Sequence, residues 1–201
     1  MTDKLEQHAA QTIAAGSKSF ATAARLFDPD TRRSAMMLYA WCRHCDDVID
    51  DQQLGFLAQE TQVTGCESSE TRLMELRLLT RSAYAGEPMQ SPAFAAFQEV
   101  ALGHGIPERY PLAHLDGFAM DVAQRRYVTL GDTLDYCYHV AGVVGIMMAW
   151  IMGARDQATL DRACDLGLAF QLTNIARDII EDAQIGRCYL PEQWLEEAGI
   201  P

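Results

Sequence analysis

YAWCRHCDDVIDD, residues 39–51, joins an apolar stretch to a run of carboxylates, and its spacing is helical. Residues four apart in an α-helix share a face and lie about 6 Å apart along the axis. Asp46 and Asp50 therefore point the same way, and Tyr39 and Arg43 fall on the same stripe. Asp47 and Asp51 point about 100° away. Two carboxylates about 6 Å apart repel by roughly 3 kcal/mol at an effective dielectric near 20, so the pair needs screening by water or by a cation. A solvated acidic face is the plainest reading of one DxxxD alone. Met36, Met37, Leu38, Ala40 and Trp41 just upstream are too apolar for a freely exposed helix, which sets the acids at the edge of an enclosed space.

DIIED, residues 178–182, repeats the spacing far along the chain. Gln171, Asn174, Asp178 and Asp182 form a second stripe, with Arg177 adjacent and Ile179 and Ile180 between the acids. Donors that are all oxygen suit Mg²⁺, which takes carboxylates, waters and substrate phosphates, and Asn174 adds a neutral carbonyl. Arg43 and Arg177 are placed to clamp phosphate oxygens. Two acidic helices facing each other across a cavity would bind a diphosphate through bridging ions and stabilise the charge that grows as it leaves.

The rest of the chain reads as helices with almost no strand signal. Helical periods are predicted over residues 3–15, 18–27, 31–54, 69–84, 93–104, 111–124, 133–152 and 157–183. Asp28-Pro29-Asp30, Gly86-Glu87-Pro88 and Gly105-Ile106-Pro107 punctuate them, and residues 55–69 form the predicted mobile loop. Gly142, Gly145, Met147, Met148 and Met152 fit close helix packing with methionine filling gaps, and equally the wall of a long apolar tunnel. Ser17 and Ser19, following Gly16, are placed to cap a helix. Asp116 and Asp121, five apart, share no face and read as structural partners of Arg125 or Arg126.

With 201 residues and 49% hydrophobic content the chain can bury a sizeable core, and a single domain is expected. Its 28 acids against 16 bases give a net charge of −12, and no basic patch marks a nucleic-acid partner. The N-terminal MTDKLEQHAAQ lacks the apolar core of a secretory signal, so a cytoplasmic chain is expected. The longest apolar run, residues 140–154, is shorter than the roughly twenty residues that span a bilayer and reads as a buried helix. Cys42 and Cys45 form CxxC with no second CxxC or HxxxH to accompany it, and the six cysteines show no disulfide framework. The Glu-x-x-His pairs of a diiron bundle are missing, as is the GxGxxG of a nicotinamide site.

An ordered set of motifs resembles the squalene/phytoene synthase family, its bacterial phytoene synthases most of all. The set is SKSF at residues 17–20, YAWCRHCDDVIDD, YCYHVAGVVG at residues 136–145, and QLTNIARDIIED followed by GRCYLP over residues 171–191. The resemblance implies an all-α, isoprenoid-synthase-type helical bundle around a central cavity. It implies Asp46, Asp50, Asn174, Asp178 and Asp182 as Mg²⁺ ligands, with Mn²⁺ as a substitute. Substrate contacts carry over to Ser17, Lys18, Ser19, Phe20, Tyr39, Arg43, Gln171 and Arg177, and Arg187 and Tyr189 would close over the diphosphate. The catalytic set would be Asp46, Asp50, Asp178, Asp182 and Tyr39.

The implied reaction condenses two geranylgeranyl diphosphates head to head, through a cyclopropyl diphosphate, to phytoene in carotenoid biosynthesis. Proton loss rather than hydride capture ends it, so no nicotinamide is expected, and diphosphate itself or Tyr39 takes the proton. Partners implied are prenyl diphosphates, peripheral contact with a membrane and hand-off to a downstream carotenoid enzyme. A squalene or dehydrosqualene synthase using farnesyl diphosphate is one alternative. A non-catalytic relative acting as an assembly or binding protein is another. Family members continue for several helices beyond the position of Pro191, so the C-terminal helices are expected to be missing from this chain.

Overall fold

Ser17, Ser68, Thr129 and Asp156 each turn a side-chain oxygen back onto a backbone N–H three residues ahead, which satisfies a donor that a helix start leaves open. At Thr129 the cap is reciprocal, because the Asp132 carboxylate accepts from the Thr129 backbone N–H. These caps delimit a chain of helices in a computed structural model that describes residues 2–50, 52–53, 56–57 and 68–200. In order they are α1 (Thr2–Gly16), α2 (Lys18–Ala24), α3 (Pro29–Asp50), α4 (Ser69–Tyr84), α5 (Pro92–His104), α6 (Arg109–Val122) and α7 (Leu130–Cys137). A π-helical segment, Tyr138–Gly142, leads into α8 (Val143–Ile151), followed by α9 (Gln157–Arg177), α10 (Ile179–Gln184) and α11 (Glu192–Glu197). A two-residue antiparallel pair, β1 (Gln52–Gln53) with β2 (Phe56–Leu57), follows α3.

The core is built around α3. Met37, Leu38, Ala40, Trp41, Cys45 and Ile49 are buried, and the Trp41 ring stacks on Phe97 of α5 with centroids 4.2 Å apart. The apolar stretch before the first acids is thus the central helix of the bundle, as its composition predicts. A smaller cluster of Tyr127, Tyr136, Cys137, Ile175 and Tyr189 lies apart from it. Leu130–Ile151 is long and apolar enough by length and composition to cross a membrane; here it packs against α6 and α9.

The glycines of this helix explain its closeness to α9. A Cβ on Gly145 would fall on the Ala163 carbonyl oxygen, and one on Gly167 would fall on that of Ala141. The close-packing reading of Gly142 and Gly145 therefore holds, and the two backbones interlock through carbonyls that a methyl group would displace.

Three sequence expectations are corrected. The helix expected over residues 157–183 breaks at Asp178, whose backbone (φ −101°, ψ 17°) ends α9 and starts α10. Helix α2 stops at Ala24, where Arg32 turns back to donate to the carbonyls of Ala24, Arg25 and Phe27 and so terminates it. Helix α3 ends at Asp50, short of the expected residue 54. Most of the expected loop, residues 55–69, lies outside the described residues.

Candidate active site

Helix α3 presents Tyr39, Arg43, Asp46 and Asp50 along one side, as the spacing predicts. Arg43 spans the local acids, with Nη1 3.0 Å from Asp46 and Nη2 2.9 Å from Asp47. The second contact lacks a hydrogen-bonding angle, and the buried Arg43 Nε has no acceptor among the described residues. Arg43 therefore keeps donor capacity beyond its ion pairs. Burial pushes Asp46 up to about 6, with Asp50 and Asp47 adding repulsion and Arg43 opposing it. A carboxylate held there in spite of like charges gains when a cation arrives.

The SKSF segment sits beside this stripe. The Tyr39 hydroxyl lies against Gly16, where a Cβ would come within 2.5 Å of it, and Phe20 meets the Tyr39 ring edge-on at 6.0 Å. Ser17 uses its oxygen to cap α2, accepting from the Phe20 N–H at 3.2 Å. Lys18, Ser19 and Phe20 are exposed and, with Thr22, Ala23 and Leu26, Lys18 and Ser19 line an open groove. Burial raises the Tyr39 phenol above its ordinary value, which disfavours the phenolate needed for a base.

The second cluster is divided by the break at Asp178. Gln171 and Asn174 stay on α9, where the Asn174 amide donates to Gln171 at 3.4 Å. Arg177 turns onto Asp178 in a bidentate pair, both contacts at 2.5 Å, and these bonds hold the Asp178 carboxyl below its usual range. Asp182 is raised by burial and by Asp178, with Arg187 opposing. Arg177 and Asp178 are thus mutually neutralised at the surface, so Arg177 meets phosphate only by exchanging partners.

Arg187 brings the two clusters into one electrostatic site. Its guanidinium donates to Asp50 of α3 through Nη2 at 2.6 Å and Nη1 at 3.3 Å, while its backbone N–H donates to the Asp182 carbonyl at 2.8 Å. Its charge also acts on Asp46, Asp121 and Asp182. Among the described residues no group of three or more His, Cys, Asp or Glu side chains gathers as a metal centre. The donors Asp46, Asp50, Asn174, Asp178 and Asp182 remain an all-oxygen set divided between α3 and the α9–α10 segment, a set suited to ions that complete their shells with phosphate and water.

Tyr189, expected with Arg187 over the diphosphate, lies two residues beyond it. It is buried, and its hydroxyl donates to Asp121 Oδ1 at 2.9 Å. Tyr136 donates to Asp121 Oδ2 at 3.2 Å. The pairing expected for the two α6 acids is corrected: Asp116 pairs with Arg77 at 2.6 Å, Arg125 with Asp132 and Asp135, and Arg126 with Glu192. Asp121 is the residue that sequence reasoning missed. Its burial pushes it up to about 6, opposed by Arg187 and the tyrosine hydrogen bonds. A cavity of about 350 Å³ borders Asp121, Arg187 and Tyr189. Burial raises Cys42, up to about 12, and Cys45, so both CxxC thiols favour the protonated form.

The helical bundle that carries these acidic stripes has the fold of the isoprenoid synthases. The squalene/phytoene synthase family model matches residues 13–201, and the chain belongs to that family. It is 69% identical over 196 residues to a phytoene synthase of Pseudescherichia vulneris and 66% identical over 196 residues to a 15-cis-phytoene synthase of Pantoea ananas, each match covering 98% of this chain. The chain spans 62% of the length of both relatives. A crystal structure of a dehydrosqualene synthase in complex with ligand superposes with a TM-score of 0.82 at 27% identity, over 100% of this chain and 65% of the other.

Proposed function

We propose that this chain carries the diphosphate-activating part of a phytoene synthase, which joins two geranylgeranyl diphosphates head to head through a cyclopropyl diphosphate. The observation that carries the reading is Arg187, bonded to Asp50 by its side chain and to the turn after Asp182 by its backbone. Asp46, Asp50, Asn174, Asp178 and Asp182 would hold Mg²⁺, or Mn²⁺ in its place. When bound, the ions supply charge neutralisation for the departing diphosphate.

The chain's own residues do the rest of the work in this reading. Arg43 and Arg187 donate to phosphate oxygens, and Arg177 joins them by exchanging Asp178 for phosphate. Lys18 adds a point charge from the exposed start of α2. Tyr39 and Phe20 flank the reacting prenyl group and exclude water from the allylic cation. Diphosphate is favoured over Tyr39 as the proton acceptor, because burial keeps the Tyr39 phenol protonated.

A second reading, a synthase acting on farnesyl diphosphate, draws support from the likeness to a dehydrosqualene synthase. Incubating this chain with Mg²⁺ and each prenyl diphosphate, without nicotinamide, distinguishes the two by the mass of the hydrocarbon formed. Asp46→Ala or Asp178→Ala is expected to abolish the product with helix content unchanged. No product from this chain, nor from a version extended by the remainder of a relative, would overturn both in favour of a binding or assembly role. A cytoplasmic chain with peripheral membrane contact and hand-off to a downstream carotenoid enzyme belongs to the same proposal. The insoluble prenyl tails motivate it, and absence of co-flotation with liposomes at physiological salt would count against it.

A further inference from the structure

Asp121, on α6, receives hydroxyl groups from two separate parts of the chain. Tyr136 of α7 donates to one carboxylate oxygen at 3.2 Å, and Tyr189, beyond α10, donates to the other at 2.9 Å. Their rings stack with centroids 4.5 Å apart and an interplanar angle of 18°. The backbone carbonyl of Tyr189 also accepts from the Thr133 hydroxyl at 2.9 Å, so residue 189 is held at both its backbone and its side-chain tip. Two residues earlier, Arg187 grips Asp50 of α3. The stretch 187–189 is therefore strung between the first acidic helix at one end and Asp121 at the other.

We propose that Asp121 is a positioning residue for the diphosphate site: by holding the Tyr136 and Tyr189 hydroxyls on its two oxygens, it fixes the segment that aims Arg187 at Asp50. The aim of Arg187 rests on a short tether, since only Cys188 separates it from the anchored Tyr189. A carboxylate suits the task because both its oxygens only accept, so both phenols must donate to it. Two phenol donors and the nearby guanidinium together offset the cost of its partial burial. Asparagine has the same shape but offers an amide in place of one oxygen, and a phenol facing that amide must turn its proton away. That phenol then accepts from a neutral amide instead of donating to a carboxylate, which weakens one arm of the clamp without making a cavity.

The kinetic part of this inference rests on the proposed function, while the positioning itself is tested without substrate. In the unmodified chain the Arg187 Nη groups that donate to Asp50 are expected to give a distinct nitrogen-15 resonance protected from exchange, and Asp121→Asn is expected to collapse that protection with the far-ultraviolet helix signal retained. An unaltered Arg187 resonance in Asp121→Asn overturns the proposal. Should Asp121→Asn fail to fold, Tyr189→Phe removes one donor and keeps the ring stack; loss of Arg187 protection is expected, and its retention overturns the proposal equally.

With prenyl diphosphate and Mg²⁺, Asp121→Asn is expected to lower kcat by about tenfold or more and change KM by less than about threefold, because an arginine facing the leaving group acts most as charge develops. An unchanged kcat, or a loss confined to KM, overturns the proposal, since a merely structural carboxylate would not divide the two constants in this way. If the unmodified chain forms no product, the functional reading fails alone, and the Arg187 resonance still decides the positioning.

Discussion

His114 shows at the residue scale how burial writes a pH dependence into this fold. Its ring is buried between Trp41 and Phe118, with Nδ1 donating to the His139 carbonyl at 3.3 Å. Nε2 has no partner among the described residues. Burial pushes the imidazole down to about 4, against about 6.5 in the unfolded chain. Between those values the unfolded chain binds the proton and the folded one does not, so stability falls as pH drops from about 6.5 to about 4, by about 3 kcal/mol across the window. Asp46 and Asp121, both pushed up to about 6, contribute with the opposite sign, because the folded state binds their protons first. The prediction is therefore a difference between variants: denaturant titrations across this window are expected to show His114→Gln gaining stability relative to the unmodified chain as the pH falls. Equal pH profiles would sink the assignment.

At the scale of elements, the interlock of α8 with α9 makes glycine a steric requirement at some positions and a weakness at others. Gly145→Ala drives a methyl group into the Ala163 carbonyl, an atom of a helix backbone that cannot turn aside. We expect a loss of about 3 kcal/mol, the upper part of the range for overpacking. Gly103, in α5, has nothing within 4 Å of an added Cβ, so Gly103→Ala is expected to gain up to about 1 kcal/mol from helix propensity alone. Chemical denaturation of both variants checks the contrast, and a tolerated Gly145→Ala would mean that the two helices are not in this contact. The same elements set how much of the site was legible beforehand. The α3 stripe was readable because helical period alone determines it. The residues of the second stripe were readable but not the interruption of their helix, because the break at Asp178 is not encoded by glycine or proline. Arg177 and Asp178 pair there, and no sequence pattern distinguishes that pairing from a continuing helix.

For the whole molecule, the paired clusters predict that ligand and metal stabilise the fold only together. Mg²⁺ with inorganic diphosphate is expected to raise the melting temperature, with a stabilisation of about 3 kcal/mol at about a hundredfold excess over Kd. Either component alone is expected to do little, and excess chelator should reverse the shift. An equal shift with diphosphate and chelator would remove Mg²⁺ from the site. The response is global because Arg187 and Asp50 are separated by 137 positions in the chain, so occupancy strengthens a contact between distant elements rather than one helix.

The sequence by itself determined the helical character of the chain, the cap at Ser17, the apolar side of α3 and the spacing of its acids, because each depends on neighbours within a few turns. Tertiary structure alone decided that Arg187 joins the two acidic clusters, that Asp121 serves Tyr136 and Tyr189 instead of the arginines beside it, and that Tyr189 is buried. Those contacts link residues up to 137 positions apart. Hydrophobic period and local propensity carry no record of which distant segments meet. That is settled by the packing of α3, α6, α7 and α9 against one another, where burial makes every unpaired charge and hydroxyl costly enough to select its partner.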